Sequence, residues 1–256
     1  MEQKIYDTLK ERARVLRLQI CNLAREGHGN HLGGSFSCVE ILISLYKKVL
    51  TNEDKFLLGK GHAALALYPL LLDCGYTPKI TEHPYMDCSN GIHCTSGSLG
   101  MGLPFGTGIA LARKIRGTPG RVYVLLGEAE CQEGTTWESL LIASQHKLSN
   151  LAFVVDKNNY QSSGFVDDVL SLGDLESKFN SFGCFTQNVD GHSYEELLKA
   201  FANLSSEKCN AIIANTIKGK GTKLMEEDQG SWHCRLPTTE QFKQVYTDLG
   251  EEFNEN

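Results

Sequence analysis

The chain has 256 residues, 41% of them hydrophobic and 22% charged, with a net charge of −6, enough apolar material for one globular core and no run near the ~18 apolar residues of a membrane span. Acids and bases are interspersed without a basic stripe, which argues against nucleic acid as a partner. Nine cysteines without a Cys-x-x-Cys pair read as reduced thiols, and the opening Met1-Glu2-Gln3-Lys4 lacks the layout of a signal peptide, so a cytoplasmic setting is expected.

In chain order, Val15, Leu16, Leu18, Ile20 and Leu23 recur at mostly helical spacing and predict a helix over 6–24. Ser37-Cys38-Val39-Glu40 has capping-box form ahead of Ile41-Leu42-Ile43. A short strand over 55–58 ends at Gly59, a helix over 62–73 is closed by Gly75, and a helix over 104–115 is stopped by Gly117. The alternation then becomes regular: strand 121–126; helix 135–147, with Thr135 and Glu138 in capping-box spacing; strands 151–155 and 185–189; helix 193–203, with Ser193 and Glu196 boxed; strand 211–215. This order predicts an α/β fold, a doubly wound and mostly parallel sheet flanked by helices. Residues 1–256 read as a single domain, with a polar, loosely held tail from about 237.

Two strand ends carry candidate chemistry. Gly127-Glu128-Ala129-Glu130-Cys131-Gln132-Glu133-Gly134 follows one apolar run, and Asp156-Lys157-Asn158-Asn159-Tyr160 follows the next, with Asn158 thirty positions after Glu128. Ligands of open parallel sheets bind beyond the carboxyl ends of the strands, and a carboxylate with a neutral amide oxygen suits a hard divalent cation bridging phosphates. Taken singly, Glu128 reads as solvated surface and Asn158-Asn159 as a turn. Gly97, Gly100 and Gly102 fit a chain that approaches something flat, or a turn before a helix. Lys218-Gly219-Lys220-Gly221 fits phosphate neutralisation or a solvated loop equally. Cys88, His93 and Cys94 lack a fourth metal ligand at suitable spacing and read as loop. His31, His62, His83 and His233 are too far apart in sequence for pattern alone to assemble them.

Taken together, the segments resemble thiamine-diphosphate enzymes, and among them the N-terminal subunit of a split transketolase. The resemblance rests on Asn30-His31-Leu32-Gly33-Gly34-Ser35-Phe36-Ser37, Gly59-Lys60-Gly61-His62-Ala63-Ala64, Glu82-His83-Pro84 and Thr95-Ser96-Gly97-Ser98-Leu99-Gly100-Met101-Gly102. Val189-Asp190-Gly191-His192, Ile217-Lys218-Gly219-Lys220-Gly221 and Trp232-His233 complete it in family order. It implies the thiamine diphosphate-binding fold, with thiamine diphosphate and Mg2+ or Ca2+ as cofactors. Glu128 and Asn158 side chains and the Tyr160 carbonyl would hold the metal. His62, Gly97, Leu99, Gly127, Glu128, Ala129, Glu130, Asn158 and Lys220 would line the cofactor. His83 would bind donor hydroxyls while His31 and His233 share proton transfer, a task suited to imidazole with its pKa near ~6.5. Glu133 has a family counterpart near the subunit interface. His28, His93 and His192 are left as structural or peripheral.

The implied activity is transfer of a two-carbon ketol unit from a ketose to an aldose. The glutamate that activates thiamine belongs in the family to a second domain, so a separate C-terminal subunit carrying the pyrimidine-binding domain is the expected partner, in an α2β2 assembly. Glu128 and Ala129 stand where the family has Asp and Gly. The extra methylene carries the carboxylate about 1.5 Å farther, whereas Mg2+ takes oxygens at about 2.0–2.1 Å. A β-carbon at 129 conflicts with any need for positive φ or close cofactor approach. These departures keep two alternatives open: a subunit of a keto-acid decarboxylase or dehydrogenase, and a scaffold or regulatory subunit that has lost cofactor binding.

Overall fold

The apolar runs become the strands of a five-stranded, wholly parallel sheet in the computed structural model, which describes residues 2–254. In chain order the elements begin α1 (Glu2–Arg25), α2 (Leu32–Ser37), α3 (Val39–Ser44), β1 (Lys55–Leu58), α4 (Ala64–Asp73), α5 (Gly102–Arg116), β2 (Val122–Gly127), α6 (Gly134–Gln145) and β3 (Leu151–Lys157). A small hairpin of β4 (Tyr160–Gln161) and β5 (Gly164–Phe165) follows, then α7 (Val166–Leu170), α8 (Leu175–Ser181), β6 (Phe185–Asp190), α9 (Tyr194–Ala202), β7 (Asn210–Asn215), α10 (Lys223–Glu227) and α11 (Thr239–Asp248). The main sheet has the order β1-β2-β3-β7-β6.

Because side chains alternate across a strand, the inner strands feed two cores. Tyr123, Leu125, Ala152, Val154, Ile212 and Ala214 pack with residues of α1, α3, α4 and α9. Val124, Leu126, Phe153, Val155, Ala211 and Ile213 face the other way, with residues of α5, α6 and α8. Helices therefore cover both faces, as expected of a doubly wound sheet. In-register pairing, Gly127 with Asp156 and Asp156 with Ala214, brings the ends of β2, β3 and β7 to one edge. That edge receives Glu128, Asn158 and the loop beginning at Thr216.

Local pattern misled at three places. Ser37 and Glu40 form no capping box: Ser37 donates to buried Asp156 (2.6 Å) and Glu40 accepts from Arg17 (2.8 Å). Thr135 lies inside α6, and its hydroxyl donates to Gly100 O (2.6 Å). The segment after 237 is not a loose tail. Thr238 and Gln241 make a reciprocal capping box that opens α11, and the helix buries Phe242, Val245 and Tyr246 against the α1 side of the sheet. Each such burial contributes about 1.5–3 kcal/mol. Ser193 does cap α9, accepting from Glu196 N (3.3 Å), although the Glu196 carboxylate reaches Asp190 N (2.8 Å) instead of completing a box. No helix among the described residues is long and apolar enough to cross a membrane.

Candidate active site

Four imidazoles from four separate loops meet beside the carboxyl edge of the sheet. His31 ends the loop before α2, His62 sits in the turn after β1, His83 follows α4, and His233 follows the turn Gln229–Trp232. The His31 ring centroid lies 5.5 Å from that of His62, 5.8 Å from His83 and 5.4 Å from His233, and His62 lies 5.5 Å from His233. Gly34 makes room for this contact, since a β-carbon there would stand 3.2 Å from the His62 ring. Burial lowers the pKa of all three inner rings. It takes His62 well below the ordinary value, with Lys60 adding to the effect, and His233 down to about 4, with help from Lys218. For His31 the nearby Glu82 opposes the shift. At neutral pH these three rings are neutral. His31 Nδ1 is buried 3.4 Å from Glu82 Oε1 without hydrogen-bond alignment.

Below the imidazoles lie two lysines of opposite circumstance. Lys60 is buried against Asp156, which also accepts from Ser37 and Thr216, and Lys60 donates to Gly34 O (2.8 Å). Burial alone would depress its pKa, but the Asp156 carboxylate outweighs this and raises it. Lys218 is 1% exposed, and no carboxylate among the described residues lies within ion-pair distance. Its ammonium donates to His233 Nδ1 (3.2 Å), and burial with the Lys60 charge lowers its pKa to about 8. A buried cation without an anion is costly. A bound anion would supply the partner it lacks.

The proposed metal ligands lie together where β2 and β3 end. Glu128 and Asn158 are both nearly buried, and Glu128 Oε2 accepts the Asn159 amide (2.6 Å), so the longer side chain is used to bridge to the next strand's turn. Burial raises the Glu128 pKa against the opposing Asn159 amide and Lys157, whose Nζ is 3.9 Å from its other oxygen. Asn158 Oδ1 accepts from Tyr160 N (3.1 Å) and retains a second lone pair. Ala129 causes no backbone conflict: among the described residues only Lys147 and Asn159 are non-glycine with positive φ, and Ala129 enters an ordinary 3-10 turn. The donor set of carboxylate, amide oxygen and carbonyl is chemically that of a Mg2+ or Ca2+ site.

Two sequence candidates have other occupations. Glu130 is fully buried; its carboxylate accepts Gly100 N (3.1 Å) and Gly127 N (3.1 Å), so it clamps two glycine loops and offers no face to a ligand. Lys220 pairs with Glu226 (3.3 Å), whereas Lys218 is the lysine beside His233. Gly97 is exposed, with its Cα face near the His83 ring, and half-buried Leu99 stands close by in the same open loop. Gly127 borders Lys60. Sequence reasoning singled out the segment Lys218-Gly219-Lys220-Gly221 but chose Lys220 within it, and it missed the Lys60–Asp156 pair, for which the position of Lys60 just after β1 was the available signal.

The chain matches the family described as Transketolase, thiamine diphosphate binding domain, over residues 5–255. It is 34% identical to a subunit of the apulose-4-phosphate transketolase from Actinobacillus succinogenes, covering 96% of this chain and 98% of that protein. It is 33% identical to a 6-deoxy-6-sulfo-D-fructose transketolase subunit from Clostridium sp., covering 98% of each. The fold superposes on transketolase from Campylobacter jejuni with a TM-score of 0.85 at 26% identity, covering 95% of this chain and 43% of that one.

Proposed function

Because the chain belongs to the transketolase family, as its thiamine diphosphate-binding domain, we propose that it is the diphosphate-binding subunit of a split transketolase. A separate subunit with the pyrimidine-binding domain completes the site, in an α2β2 assembly. The observation that carries this reading is the imidazole cluster set against Lys218, a buried cation with no carboxylate partner. The named relatives act on anionic ketoses, one a phosphate and one a sulfonate, and we assign the same class of donor here.

In this reading Lys218 and His62 hold the diphosphate, while Glu128, Asn158 and the Tyr160 carbonyl hold Mg2+ or Ca2+. Thiamine diphosphate, when bound, supplies the electron sink for carbon–carbon cleavage. The chain's own groups orient the sugar and move protons. His31, held neutral by burial, accepts a proton from a donor hydroxyl; His233 shares in proton transfer, and His83 binds hydroxyls at the open side.

Calorimetric titration of thiamine diphosphate with Mg2+ into the coexpressed complex tests the proposal. Saturable, metal-dependent binding that Asn158→Ala abolishes, followed by turnover of a phosphorylated ketose and not of pyruvate, is expected. Absence of binding at millimolar ligand in a verified complex would leave the scaffold reading, and pyruvate turnover the keto-acid reading.

A further inference from the structure

The loop that carries Lys218 leaves the sheet at Thr216, whose amide makes the last sheet-edge bond, to Lys157 O (2.9 Å). The next amide, Ile217 N–H, has no strand to pair with. It donates to His192 Nε2 (2.8 Å). That nitrogen must therefore be unprotonated, so the ring proton sits on Nδ1 and is donated to Glu40 Oε2 (3.0 Å). Glu40 is itself held by Arg17 through both oxygens (2.8 and 2.9 Å).

The same Arg17 reaches the far end of the loop. Its guanidinium lies against Gly221, where a β-carbon would approach within 2.7 Å, and it donates to Phe36 O (3.2 Å) near the end of α2. Between these ends Gly219 N bonds Gly33 O (3.0 Å). Glu40 of α3, through His192 and Arg17, thus connects both ends of the five-residue stretch 217–221, and Arg17 and Gly219 bond it to α2, the helix that follows His31. Gly191 permits the arrangement, because a β-carbon there would collide with Thr216 at 2.4 Å.

We propose that His192, locked by Glu40 as the Nδ1–H tautomer, is a positioning residue that fixes the Ile217–Lys218 backbone and so aims the Lys218 ammonium at the cofactor diphosphate. The inference rests on the proposed function for its ligand, but its geometry stands on the protein alone. No hydrogen bond or ion pair among the described residues links the His192 side chain to His233 or Lys218; it acts through one backbone amide.

The two ring nitrogens have different jobs, and two isosteres separate them. A glutamine amide oxygen reaches about as far as Nε2 and keeps the acceptor for Ile217. An asparagine amide ends near Nδ1 and keeps only the contact with Glu40. The measurements are thiamine diphosphate affinity and kcat at saturating cofactor in the coexpressed complex, with hydrogen exchange at the Ile217 and Gly219 amides. For His192→Ala and His192→Asn the expected result is cofactor binding weakened by about tenfold, as for one lost hydrogen bond that orders a charged group, with kcat at saturation changed less than about threefold. Ile217 exchange should accelerate in both. His192→Gln should restore affinity and protection.

If Asn and Gln behave alike, or if His192→Ala lowers thermal stability while leaving cofactor affinity intact, the proposal is overturned. Should His192→Ala fail to fold, the Asn and Gln pair still decides. If the unaltered complex binds no thiamine diphosphate, the functional reading fails by itself. The exchange data then judge the positioning role separately: unchanged Ile217 protection in His192→Asn overturns it.

Discussion

Lys218 Nζ stands 3.2 Å from His233 Nδ1, a buried cation donating to a neutral, half-buried imidazole. Burial, with help from the Lys218 charge, lowers the His233 pKa to about 4, and burial beside Lys60 lowers that of Lys218 to about 8. Such an arrangement is poorly compensated in the protein alone. An anion bound beside it would relieve both.

Removing the charge should therefore stabilise the unliganded chain and disable the liganded one. Lys218→Met keeps the apolar stem; the expected outcome is an apoprotein at least as stable as the original, with thiamine diphosphate affinity down by about a hundredfold, a loss typical of a charge-assisted contact. Thermal unfolding without ligand and calorimetry with ligand report the two effects. Equal loss of stability and affinity would mean that Lys218 is a packing residue.

The departures at 128 and 129 should separate in the same way. Ala129 has ordinary backbone geometry, so Ala129→Gly should leave Mg2+ affinity unchanged while costing about 0.5–1 kcal/mol of stability through chain entropy. Glu128→Gln removes the carboxylate and should weaken Mg2+ binding by at least about tenfold in the presence of thiamine diphosphate. Metal titration by calorimetry distinguishes them. A large gain in metal affinity from Ala129→Gly alone would contradict the backbone geometry.

Much of the fold was legible because the strands are buried on both faces and therefore read as continuous apolar runs bounded by glycine or polar turns, as at Val122–Gly127 and Leu151–Lys157. Glu128 and Asn158 followed from those ends. What escaped was decided by tertiary partners. Ser37 and Glu40 have capping-box spacing, yet Asp156 and Arg17 bind them more strongly than a helix terminus would. α11 was overlooked in a polar segment whose apolar stripe, Phe242, Val245 and Tyr246, is sparse but correctly spaced for one buried face. In Lys218-Gly219-Lys220-Gly221 the two lysines are equivalent by composition. Which one turns inward depends on the Ile217 and Gly219 amide bonds, which only the packed loop reveals.

Glu130 gives a pH prediction with a definite sign. Burial raises its pKa from 4.5 to about 7, although the Gly127 and Gly100 amides work against the shift. The folded chain therefore keeps a proton that the unfolded chain has released, and stability falls as pH rises from about 4.5 to about 7. Glu130→Gln loses one acceptor, a constant offset, but has no such slope. Its stability relative to the original should rise by up to about 3 kcal/mol across that interval. Urea unfolding at a series of pH values measures it, and a pH-independent difference would mean that Glu130 is not protonated in the fold.

His31 should control rate and not binding. Its ring packs beside His62 and His233, but no hydrogen bond among the described residues ties it to the Lys218, His62 or Glu128 side chains that would hold the diphosphate and metal. His31→Ala should lower kcat on a ketose donor by about 10²–10⁴-fold, the range for a lost general acid–base group, with thiamine diphosphate affinity within about threefold. Glu82 supplies an independent handle. Its carboxylate raises the His31 pKa against the lowering by burial, so Glu82→Gln should lower that pKa further and move the acid limb of kcat/KM to lower pH. The proton-accepting form then persists into more acidic solution. A His31→Ala enzyme with normal kcat but weakened cofactor binding, or an acid limb unmoved in Glu82→Gln, would assign the pH-sensitive step to another group of the cluster, His233 first.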